Sequence, residues 1–148
     1  MDTSIEGRRG KPFRVLVEEG KVREFARAVK SSNSAYVAEG QPPATSPVTF
    51  LASSVFWQGP DSSPLSGVEL NWARILHGEQ EFTFPGSPPA PGTELTAQAR
   101  IDRVFEKEGK RGGTMTFAEI VTEYRDGSGA VVAESRSTLI ETSQAPGS

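Results

Sequence analysis

Cysteine is missing from all 148 residues, and there is a single histidine, His77. Without cysteine there is no disulfide framework, no thiolate nucleophile and no Cys-held metal. With one histidine, a His cluster cannot form, and any Ser-His-Asp arrangement has to use His77. The 19 Asp and Glu residues are scattered, not grouped, and no Gly-rich phosphate loop is present. Neither a metal nor another cofactor is therefore expected. The 16 Lys and Arg form no cluster and the net charge is −3, which argues against nucleic acid as a partner, since phosphate binding needs a cationic face. No apolar run reaches the ~20 residues that span a bilayer, and Met1–Lys11 lacks the apolar core of a secretory leader. These absences point to one cytoplasmic domain with no membrane partner. Its expected bounds are 12–142, between a flexible N-terminus (1–11) and a flexible tail (143–148).

What is present is clearest in the C-terminal third. Leu95, Ala97, Ala99 and Ile101 alternate with Thr96, Gln98, Arg100 and Asp102, so the segment from Glu94 reads as a strand with one buried face. Thr114–Arg125 reads as a second strand whose alternation slips between Phe117 and Ala118, suggesting a bulge or burial on both faces. Asp126-Gly-Ser-Gly129 is a hairpin turn, and Ala130–Glu141 returns as a third strand. The Gly-rich, charged loop Lys107–Gly113 makes the other hairpin end. Such a meander needs something upstream to cover its apolar face.

Upstream, Phe13–Val17 is a short strand, and Val22, Phe25, Ala26 and Val29 trace the stripe of an amphipathic helix over Lys21–Lys30. Ser31–Ser34 ends it. Ser46-Pro47 has the form of a helix start, with Ser as cap and Pro in the first turn. Val48, Leu51, Ala52, Val55 and Phe56 follow at helical spacing, and Phe50 and Trp57 make the segment apolar nearly all round, as in a buried helix. Val68–Ile75 reads either way, and Glu79–Phe84 alternates as a strand. Pro85–Gly92 is a rigid connection. The order implies an α+β class: a single hot-dog fold, in which an antiparallel curled sheet wraps a central helix. The exposed edge of such a sheet favours pairing with a second copy or a related chain.

Phe25–Val29, Asn33, Tyr36, Pro47–Ala52 and above all Leu76-His-Gly-Glu-Gln-Glu-Phe82 resemble the MaoC-like hydratase/dehydratases. The resemblance runs over roughly Pro12–Thr142. It is strongest to the N-terminal dehydratase half of the family, including the non-catalytic subunit of the mycobacterial (3R)-hydroxyacyl-ACP dehydratase. It implies an acyl-CoA or acyl-carrier-protein thioester as ligand, water added to or removed from the 2,3 bond, and a homodimer or a heterodimer with a catalytic hot-dog subunit. Active members carry Asp-x-Asn-Pro-x-His. Here that motif falls on Ser31–Tyr36, where Ser31 stands for the Asp and Tyr36 for the His, and only Asn33 is kept. Serine and tyrosine are poor bases near neutral pH. The resemblance thus implies a substrate-binding subunit without the acid–base pair. Its implied binding residues are Asn33, Tyr36, Val48, Thr49, Phe50, His77 and Gly78, with Val48 and Thr49 offering N–H groups to a thioester carbonyl.

Each of these residues also has a plainer role open to it: Asn33 as a turn, Tyr36 and Phe50 as packing, His77 as a structural hydrogen-bonding group. Phe56, Trp57, Trp72 and Phe82 join Phe50 as candidate walls of an acyl groove. Two further functions stay open, a thioesterase using Glu79 or Glu81 as base and a non-enzymatic thioester-binding protein.

Overall fold

The computed structural model describes residues 1–37, 40–109 and 112–143. Five strands form one antiparallel sheet: β1 (Phe13–Leu16), β2 (Ile75–Thr83), β3 (Glu94–Glu108), β4 (Thr114–Arg125) and β5 (Val131–Glu141), in the order β1-β3-β4-β5-β2. The meander β3-β4-β5 is the expected one. It turns at Gly129, whose φ of 86° a side chain would resist, while Asp126 Oδ1 accepts from the Ser128 and Ala130 amides. The curled hot-dog architecture is as expected.

Several local expectations change. The register slips lie between Ile101 and Arg103, between Tyr124 and Arg125, and between His77 and Glu79; none falls at Phe117. The ambiguous stretch before His77 resolves into loop, a 3-10 turn at Trp72–Arg74 and the start of β2, which therefore begins at Ile75, not Glu79. Helix α1 (Glu19–Ala28) buries Val22 and Ala26 but leaves Val29 exposed, because the helix ends before it. A short α2 (Ser34–Val37) follows. Residues 1–11, expected to be flexible, run beside β3: Gly7 and Gly10 donate to the Ile101 and Ala99 carbonyls, and Ile5 is buried. Within the two flexible or loop expectations at the C-terminal end, residues 110–111 and 144–148 lie outside the described residues.

The central helix shows the largest difference. It is a 3-10 helix, Phe50–Trp57, and it does not begin at Ser46. Ser46 is fully buried with its Oγ unbonded, and its amide donates to the Pro89 carbonyl at 3.1 Å. A 3-10 helix has three residues per turn, so residues i and i+3 eclipse. Phe50, Ser53 and Phe56 therefore form one row, and Leu51 and Ser54 another. The sheet covers the second row and the start of the first. Phe50, Leu51 and Ser54 are buried, but Phe56 is 86% exposed and Val48 and Val55 are also exposed. The expectation of a helix buried all round fails because a single five-stranded sheet covers only one side of it.

The core gathers Phe13, Val15, Val17, Val22, Phe50, Leu51, Leu95, Ala97, Tyr124 and Ala133. It joins β1, α1 and the central helix to the helix-facing side of the meander.

Candidate functional site

Two recesses flank the central helix. The first lies between α1 and the helix, is half-open and holds about 480 Å³. Phe25, Ala28, Phe50, Phe56 and Trp57 wall it, and Glu18, Lys21 and Glu24 stand at it. Phe25 and Phe50 meet edge to face, with ring centroids 5.6 Å apart, a geometry that fixes this wall beyond simple burial. Lys21 and Glu24 pair with each other at 3.0 Å on the exposed side of α1.

The second recess lies between the helix and the sheet and holds about 220 Å³. Its origin is a pair of cross-strand rows. Ala99, Thr122, Ser135 and Phe82 are directly opposed across β3-β4-β5-β2, and so are Ile101, Ile120, Ser137 and Gln80. Opposed residues share a face, so the hydroxyls of Thr122, Ser135 and Ser137 and the Gln80 amide point to the helix side of the sheet among apolar Ala99 and Ile120. Ser54 reaches from the helix to the Tyr124 hydroxyl at 2.8 Å. Gln80 Nε2 donates to Ser135 Oγ at 2.8 Å and to the Arg136 carbonyl at 3.1 Å. Burial pushes the Tyr124 phenol up to about 12, although the Ser54 bond works the other way, so it remains a neutral donor at ordinary pH.

The sequence-predicted residues are distributed unevenly around these recesses. Phe50 lines the apolar one, with the predicted walls Phe56 and Trp57. Val48 and Thr49 precede the helix, and their amides donate no backbone bond among the described residues. Asn33 makes a turn: its Oδ1 accepts from the Ala35 amide at 2.9 Å. The Ser31 hydroxyl accepts from the Asn33 amide at 3.3 Å, and Tyr36 is half-buried on α2. His77 is exposed on the edge strand, 3.3 Å from Gln80 Oε1. Gly78 sits at the β2 slip, where an added Cβ would come 2.7 Å from Ile140 Cδ1. Its lack of a side chain is needed for packing on the outer face. Trp72 is exposed, and Phe82 packs against the core. Glu79 and Glu81 oppose Thr138 and Arg136, on the sheet face turned away from the helix. No group of three or more His, Asp or Glu able to hold a metal stands together among the described residues.

A family model described as FAS1-like, dehydratase domain region, matches residues 4–135. The chain belongs to that family. Among its relatives, a UPF0336 protein of Clavibacter michiganensis subsp. michiganensis is 34% identical over 137 residues, 84% of each chain. The fold of the chain also matches the C-terminally truncated HadBC (3R-hydroxyacyl-ACP dehydratase) complex of Mycobacterium tuberculosis. That match has a TM-score of 0.76 at 25% identity, over 95% of this chain and 99% of that one. A MaoC-like dehydratase of Phytophthora capsici shares the fold alone, with a TM-score of 0.67 at 19% identity over 92% of this chain and 47% of that one. The chain is thus a dehydratase-like hot-dog protein related to the (3R)-hydroxyacyl-ACP dehydratase complex.

The polar recess is what sequence reasoning missed. Its signal was present as small hydroxyl residues at alternate positions of β5, Ser135 opposite Thr122 of β4 and Ser137 opposite Ile120. No helix among the described residues is long and apolar enough to cross a membrane.

Proposed function

We propose that this chain is the substrate-binding subunit of a (3R)-specific enoyl-thioester hydratase or 3-hydroxyacyl-thioester dehydratase, acting on CoA or carrier-protein thioesters. The observation that carries the reading is the apolar groove of about 480 Å³ with its Phe50–Phe56 wall, open to solvent on a dehydratase-family fold. Exposed aromatic surface of this kind suits an aliphatic acyl group. Val48 and Thr49 present N–H groups at the head of the helix, where a thioester carbonyl would gain from them. Ser31 and Tyr36 occupy the positions of the family's acid–base pair and supply no base. The pair comes from a second hot-dog chain, whose sheet adds along β2, a nine-residue edge strand with its outer side unpaired among the described residues. HadBC, whose fold this chain matches, is described as a complex, which supports the two-chain reading.

The test is hydration of a trans-2-enoyl-CoA. The chain alone is expected to be silent, and addition of a hot-dog partner carrying an intact Asp-x-Asn-Pro-x-His is expected to give turnover. Turnover that is the same whether or not this chain is added to the partner would remove its role. The thioesterase alternative gains nothing from the geometry, because Glu79 and Glu81 face away from both recesses.

A further inference from the structure

We infer that the hydroxyl-lined recess between the central helix and the sheet holds a neutral, oxygen-rich segment of the thioester ligand, one carrying hydroxyl or amide groups and no charge. The inference rests on the thioester-binding reading above and adds the chemistry of a second subsite. Charge is excluded by the lining. Ser54, Gln58, Gln80, Thr122, Ser135 and Ser137 are its main polar groups, and no Asp, Glu, Lys, Arg or His joins them. A phosphate or carboxylate would find no cation, and an ammonium no carboxylate. A plain alkyl chain fits poorly too, since it would bury hydroxyls without partners.

Hydrogen-bonding capacity is left open there. Ser54 and Tyr124 satisfy each other, and Gln80 holds Ser135. No side-chain hydrogen bond ties Thr122, Ser137 or Gln58 to another described residue. These groups point into about 220 Å³, room for roughly seven waters at ~30 Å³ each or for a chain segment of similar size. Val55 on the helix, Gln58 just after it and Gln80 on the edge strand place the recess beside the edge where a partner chain would add. The apolar groove takes hydrocarbon on one side of the helix, and this recess takes oxygen on the other.

Two parts of a thioester have this chemistry: the pantetheine arm shared by CoA and carrier proteins, and an acyl group that bears its own hydroxyl or keto oxygen. Titration calorimetry of the full chain separates them with three probes: free pantetheine, S-octyl-CoA, and the same thioether hydroxylated on the octyl chain. The T122V/S137A variant removes two free hydroxyls with little change of volume. A loss of about tenfold, the equivalent of one to two neutral hydrogen bonds, for all three probes identifies the arm. The same loss confined to the hydroxylated probe identifies an oxygenated acyl group. Wild-type chain gives a second readout that needs no variant: binding of pantetheine alone, or a tenfold preference for the hydroxylated over the plain thioether, supports the subsite. If wild type binds the probes and the folded variant binds each of them equally well, the recess holds only water and the inference falls by itself. If wild type binds none of the three, the thioester reading falls and takes the subsite with it.

Discussion

The two recesses share one wall and differ in almost everything else. On the α1 side, rings from Phe25, Phe50, Phe56 and Trp57 wall a wide groove whose charged groups, Glu18, Lys21 and Glu24, come from α1 and the residue before it. On the sheet side, Ser, Thr, Tyr and Gln side chains line a space half that size. Most of the difference comes from what faces the helix, Phe25 of α1 on one side and strand hydroxyls with Gln80 on the other. With three residues per turn, the row of Phe50, Ser53 and Phe56 faces one way while Leu51 and Ser54 face the sheet. One short segment thereby separates a dry surface from a wet one. A 3.6-residue helix would have mixed these rows.

The largest predicted contrast is within the aromatic row. Phe50 is 1% exposed and packed on Phe25, whereas Phe56 is 86% exposed. Phe50→Ala should cost about 3–5 kcal/mol, and Phe56→Ala within about 0.5 kcal/mol of nothing in the isolated chain. Urea denaturation midpoints check this. Equal losses would mean that Phe56 is core, and the open groove would be wrong.

On the wet side the effect is smaller and carries a signature. Ser54→Ala leaves the buried Tyr124 hydroxyl with only a 3.4 Å contact to the Leu51 carbonyl, at a cost of about 1–3 kcal/mol. The double change S54A/Y124F should cost less than the sum of the single changes, because both remove the same bond. Strict additivity in a thermal-melt cycle would show that the two hydroxyls are not coupled.

The smallest effect lies away from both recesses. On the outer face, the Arg136 guanidinium donates to Asp102 at 2.8 Å and holds that carboxyl below its ordinary value. A lowered folded-state value means stability that is present above the unfolded carboxylate range and lost as pH falls through the folded one. Asp102→Asn should therefore flatten part of the acid-side loss of melting temperature while leaving neutral-pH ligand binding in both recesses unchanged. An altered ligand affinity would tie the outer face to the site.

The sheet was the legible part of this chain. Alternation in Leu95–Ile101 reveals β3 and the Asp126–Gly129 turn reveals the β4–β5 hairpin, because period-two burial and turn chemistry are local properties. The central helix was legible in place but not in kind. Apolar residues at nearly every position satisfy 3.0 and 3.6 periods alike, so the rows, and with them the two recesses, emerge only from the backbone. Val48 and Phe56 read as core for the same reason and stand exposed. The hydroxyl recess was hidden differently. Ser135, Ser137 and Thr122 are ordinary strand residues, and only the strand register brings them beneath Ser54.

The most direct test follows enoyl absorbance and ligand binding together, using the purified chain and a trans-2-enoyl-CoA with no partner present. The account predicts saturable binding and an enoyl signal that does not fall. Rapid hydration by the chain alone would show that Ser31 and Tyr36 had not left it without a base, and the division of labour between two hot-dog chains would be refuted.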